Sequence, residues 1–71
     1  MNKPVYDLQH QVQEAISEIN EMRDAQIDVL DSNGVITLRG IVPTVAARER
    51  AEEIVRGMDG VVTVVNELDV V

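Results

Sequence analysis

Ile27-Asp28-Val29-Leu30-Asp31-Ser32-Asn33-Gly34-Val35-Ile36-Thr37-Leu38-Arg39-Gly40-Ile41-Val42 is the most informative stretch of the chain. Ile27 and Val29 alternate with Asp28 and Leu30, and the run from Val35 to Val42 resumes the period of two that marks a strand with two distinct faces. Between them Asn33-Gly34 supplies two residues that tolerate the positive φ of a tight hairpin turn. The stretch reads as a β-hairpin. In its second strand Ile36, Leu38, Gly40 and Val42 share one face, and Val35, Thr37, Arg39 and Ile41 share the other.

Upstream the period changes to 3.6. Val5, Leu8, Val12, Ala15, Ile16, Ile19 and Met22 follow the three-and-four spacing of a helix with one apolar stripe, predicted over Val5 to Met22. Pro4 suits its first turn, Asp7 in the same turn complements the helix dipole, and Glu14, Glu18 and Glu21 lie on the outer face. Downstream, Pro43 cannot donate to a ladder and ends the strand, and Thr44 is placed to cap a second helix. Its inner stripe is Ala47, Ala51, Ile54, Val55 and Met58. On its outer face Arg48, Glu52 and Arg56 stand four apart, so those charges can pair along the helix and largely neutralise each other. Gly57 and Gly60 supply the exit, and Val61 to Val71 reads as a third strand with Val62, Val64, Asn66, Leu68 and Val70 in phase. The order α-β-β-α-β predicts an α+β fold: a three-stranded sheet with two helices packed on one face, the last connection being a crossover. Whether the third strand lies beside the second or the first is left open by the pattern.

Composition bounds what such a fold can be. At 71 residues the chain has room for one core, so residues 1–71 are read as a single domain. Aliphatic side chains must fill that core, since there is no Phe or Trp and only Tyr6 is aromatic. The absence of cysteine removes disulfides, thiol nucleophiles and Cys-based metal sites. The longest apolar run, Val61 to Val65 with Thr63 inside it, falls far short of the roughly 20 residues that span a bilayer. No apolar signal region follows Met1, so the chain as given is expected to be cytoplasmic, or periplasmic and envelope-bound if it is a processed or excised domain. A formal charge of −7 repels nucleic acid and anionic lipid headgroups alike at long range, and no nucleic acid partner is expected.

Taken together, Ile27, Val29, Gly34, Ile36, Leu38, Gly40 and Val42, then Ala51 and Ile54, then Gly60-Val61, Val64, Asn66, Leu68 and Val70 resemble the signature of the BON domain, named from bacterial osmotically induced and nodulation proteins. The combination of G-V-x-x-L-x-G-x-V with a downstream G-V-x-x-V-x-N-x-L-x-V carries the likeness, which extends over nearly the whole chain. It implies an α-β-β-α-β fold and a non-catalytic role, usually binding phospholipid or attaching to cell-envelope surfaces. Gly34, Leu38, Gly40, Gly60 and Asn66 are its structural signature here.

Several residues invite chemical readings. His10, one turn from both Tyr6 and Glu14, is a lone imidazole with too few companions for a transition-metal site and is read as exposed on the helix. The clusters Glu14, Glu18, Glu21 and Glu49, Glu52, Glu53 lie on solvated faces, which lack the burial that tunes a catalytic carboxylate. Gly57-Met58-Asp59-Gly60 matches the GxxG of RNA-clamping loops but carries an acid where phosphate would sit, so it reads as a helix exit. No catalytic residue, metal ligand or cofactor is expected, and the chain is not read as an enzyme. Gly40 is expected to allow close packing of a helix, and Asn66, in phase with the buried face, to hydrogen-bond loop or helix-end backbone.

The uncovered sheet face is the functional candidate. Leu30, Val35, Ile41, Val65 and Val71 would lie there among Asp28, Thr37, Arg39, Glu67 and Asp69, and we take Leu30, Val35, Arg39, Ile41 and Val65 as the binding residues. Its partners are expected to be a phospholipid or envelope surface, or alternatively a protein, including a second copy.

Overall fold

A computed structural model describes residues 7–22 and 25–71. The elements follow the order α1 (Leu8–Ser17), a 3₁₀ turn (Asn20–Met22), β1 (Ile27–Ser32), β2 (Val35–Val42), α2 (Val45–Arg56) and β3 (Thr63–Val70). The sheet order is β1-β2-β3, with β1 antiparallel and β3 parallel to the central strand. The third strand therefore lies beside the second, and α2 forms the crossover between them.

The hairpin forms as its sequence dictates. Asn33 and Gly34 adopt φ of 54° and 90°, the pair of positive values that matches a two-residue turn to the twist of its strands. Asp31 accepts from the Gly34 N–H at 2.9 Å, which fixes the turn from inside the first strand. β1 thus runs on through Asp31 and Ser32, which the composition alone marks as turn residues.

Helix α1 is shorter than its apolar stripe predicts. Asp7 lies outside it as the N-cap, accepting from the His10 N–H at 2.9 Å. At the other end the Ser17 hydroxyl donates to the Glu14 carbonyl at 2.8 Å, and the chain tightens into a series of i→i+3 bonds. Ile19 N–H donates to Ile16 at 3.0 Å, Met22 to Ile19 at 2.9 Å and Ala25 to Met22 at 3.1 Å. A spacing of three serves an α-helix and a 3₁₀ turn equally, so Ile16, Ile19 and Met22 stay buried on one side through the change of helix type. Val5 and Pro4 lie outside the described residues, as does Tyr6.

In α2 the Thr44 hydroxyl accepts from the Ala47 N–H at 3.0 Å, so the predicted cap is present. Ala47, Ala51 and Val55 are wholly buried, while Ile54 and Met58 pack at the margin. Small residues facing the sheet let the helix backbone approach it closely. The third strand starts later than its valines suggest. Val61 and Val62 form the approach, where the Val62 N–H donates to Gly34 O at 2.8 Å, and Val62 is left exposed instead of entering the buried phase.

One core joins these elements: Val12 and Ile16 from α1, Val29 from β1, Ile36, Leu38 and Val42 from β2, Ala47, Ala51 and Val55 from α2, and Leu68 from β3. All of its sheet residues share the covered face, so both helices lie on one side. The opposite face has no layer over it among the described residues.

Candidate sheet-face binding surface

The registers place the open face in rows. Ser32, Val35 and Thr63 stand side by side, then Leu30, Thr37 and Val65, then Asp28, Arg39 and Glu67, and last Ile41 beside Asp69. Successive rows on one face are about 6.8 Å apart and neighbouring strands about 4.8 Å. Leu30 is 46% exposed, Ile41 59% and Val65 39%, whereas Val35, near the hairpin turn, is half-buried. Leu30, Val35 and Val65 thus form one apolar group and Ile41 a second, with a charged row between them. Val71, expected on the same face, lies past the end of β3 and is almost fully exposed, held to Val42 O by its N–H at 3.1 Å.

Arg39 stands in the centre of the charged row. Its Nε donates to Glu67 Oε1 at 2.9 Å, and Asp28 is its partner on the other strand. Like charges directly opposite across strands are destabilising, so an acid–base–acid row satisfies both neighbours of the central cation. It is also the only basic residue of the face among the described residues. With Asp28, Glu67 and Asp69 the face carries three carboxylates against one guanidinium.

The signature residues hold this face in place from behind. Leu38 is wholly buried in the core that both helices share. Gly60 turns the chain after α2 beside Leu8. Gly40 has φ of 142°, and a Cβ there would meet Gln26 O at 2.3 Å and Ile27 Cα at 3.1 Å. The expected close neighbour was a helix; it is instead the backbone leading into β1, which crosses Gly40 where the hairpin opens.

Asn66 does more than its expected role. Its amide donates to Arg48 O at 3.1 Å and to Glu52 Oε1 at 3.0 Å, so its partners are the body of α2 and a side chain on it, not a loop or helix end. Its Oδ1 accepts from the Leu68 N–H at 3.1 Å. Thr63 and Val71 donate toward β2, so alternation directs the N–H groups of Val64, Asn66, Leu68 and Val70 to the free edge. Asn66 therefore caps an edge donor while pinning β3 to α2. Gln13 performs the matching task on the far edge, donating from α1 to Ile27 O at 2.9 Å. Nothing in the apolar pattern singles out Gln13; its place next to the buried Val12 is the only hint.

Glu52 is drawn to Asn66 and to Arg56, with which it forms an ion pair. Of the two pairings the spacing allows on α2, Glu52–Arg56 forms and Arg48–Glu52 is absent among the described residues. His10 is exposed, with Nε2 3.1 Å from Glu14 Oε2. Glu14, Glu18, Glu49 and Glu53 are exposed and Glu52 half-buried, while the Glu21 side chain lies outside the described residues. Gly57 caps α2 through its N–H to Glu53 O, as a helix exit does. On the helix side an open groove of about 370 Å³ is lined by Ala15, Glu18, Ile19, Asn20, Arg50 and Ile54. Among the described residues no charged side chain is buried, no group of acids and histidines is placed to hold a metal, and no helix is long and apolar enough to cross a membrane.

The described residues form a two-layer α+β domain with one sheet face under the helices and one open face of mixed apolar and charged side chains. The BON domain family model matches residues 6–71, and the chain is a member of that family of non-catalytic binding modules. No curated protein matches the chain.

Proposed function

We propose that this domain is an attachment module whose contact surface is the open sheet face, and that it engages a protein surface through it. The observation that supports this reading is the exposure of Leu30, Ile41 and Val65 on the sheet face that has no layer over it among the described residues. Apolar groups gathered on a flat, framed surface are the common mark of an association site. Phospholipid attachment, supported by family membership, is the second reading. It would be confined to neutral headgroups, because a module for anionic membranes recruits clustered cations and Arg39, the single cation of this face among the described residues, is engaged by Glu67.

Co-sedimentation with phosphocholine and anionic vesicles, beside light scattering over a range of concentrations, separates the readings. The protein reading predicts that no vesicle carries the domain down. Sedimentation with phosphocholine vesicles, lost on Ile41→Lys or Val65→Lys, would establish the lipid reading instead.

A further inference from the structure

The open face has a charge pattern as well as an apolar one, and the pattern restricts what can cover it. Along the strands it reads aliphatic at Leu30 and Val65, then acid–base–acid at Asp28, Arg39 and Glu67, then aliphatic at Ile41 beside Asp69. A second copy of the chain fits poorly. Stacking two faces about a twofold axis through Arg39, along or across the strands, sets Arg39 against its own counterpart and carboxylate against carboxylate. Moving the axis to either side of β2 relieves this only by leaving an outer strand, with Leu30 or Val65, uncovered. Two chains of charge −7 also repel before they touch. Strand addition is opposed at one point on each edge, where Asn66 occupies the Leu68 N–H and Gln13 the Ile27 carbonyl.

Resting on the reading of this face as the contact surface, we infer that its partner is a protein surface presenting aliphatic side chains on both sides of a lysine or arginine row. Cations there meet Asp28, the free side of Glu67 and Asp69, while the flanking aliphatics cover Leu30, Val65 and Ile41. The row spacing of about 6.8 Å equals two residues of extended chain, so the matching surface is a strand or hairpin face with the order aliphatic, basic, aliphatic at alternate positions. The face spans three strands and four rows, roughly 350 Å² in projection by those spacings, against about 800 Å² per partner in a stable complex. The contact is accordingly weak and salt-sensitive, and suited to a partner that presents several copies of its site.

The test is a titration of the ¹⁵N-labelled domain followed by amide chemical shifts. The probe is a disulfide-closed hairpin peptide with Val-Arg-Val at alternate positions of one face, and its control has Glu in place of Arg. Phosphocholine vesicles and a concentration series of the domain alone complete the set. Saturable shifts at Leu30, Arg39, Ile41 and Val65 with the Arg hairpin are expected, weakened about tenfold by Glu67→Lys or by raised salt. An equal response to the Glu hairpin overturns the proposal. So does an open face that answers to vesicles or to its own concentration but not to the Arg hairpin, an outcome that leaves the face as the contact surface. Shifts confined to α1 and α2 in every titration overturn the proposal and the reading beneath it together.

Discussion

Gly40 is the position where a single atom decides most. Its φ of 142° is open to glycine, and a Cβ would fall 2.3 Å from Gln26 O, a backbone atom that cannot rotate away. Gly40→Ala is expected to cost on the order of 3 kcal/mol, read as a lowered urea midpoint. Asn66→Ala should cost about 1 kcal/mol by removing three hydrogen bonds at a part-buried site. Asn66→Asp is the sharper probe, because it keeps the acceptor for the Leu68 N–H, loses the donor to Arg48 O and sets a carboxylate against Glu52. If Asn66→Asp matched the wild-type midpoint, the helix pin would have no weight.

Between elements, the same side-chain bonds that join helices to strands also guard the sheet. Gln13 and Asn66 each tie a helix to an edge and occupy a main-chain group facing outward. The double variant Gln13→Ala with Asn66→Val is expected to aggregate in a concentration-dependent way that Thr44→Ala does not, although losing the α2 cap also costs about 1 kcal/mol. Static light scattering at matched fractions of native protein checks this. The strands were legible in the sequence because period two and Asn33-Gly34 are local signals. The end of α1 was not, since the spacing of Ile16, Ile19 and Met22 satisfies both helix types. The edge caps were equally hidden: which main-chain groups point outward depends on strand order, and strand order depends on where α2 lays β3.

For the molecule as a whole, the fold spends one sheet face on its core and leaves the other outside. Those two faces should respond differently to the same kind of change. Leu38→Ala, in the core, is expected to cost about 2–5 kcal/mol, whereas Ile41→Lys should stay within about 0.5 kcal/mol of wild type by thermal unfolding. The face was readable from alternation alone: Leu30, Ile41 and Val65 were placed there by phase, and they lie there exposed. Its division by a charged row was not readable, because the row exists only once Asp28, Arg39 and Glu67 are brought into register from three strands.

A chain without cysteine allows one label at a chosen site. An environment-sensitive fluorophore at Ile41→Cys, with Glu49→Cys on the outer side of α2 as reference, would be titrated with the Arg hairpin, with phosphocholine vesicles and with unlabelled domain. A blue shift of the label at position 41 with the Arg hairpin, and none at position 49, is the predicted result. A response at 49 with silence at 41 in all three titrations would contradict the assignment of the open sheet face as the binding surface.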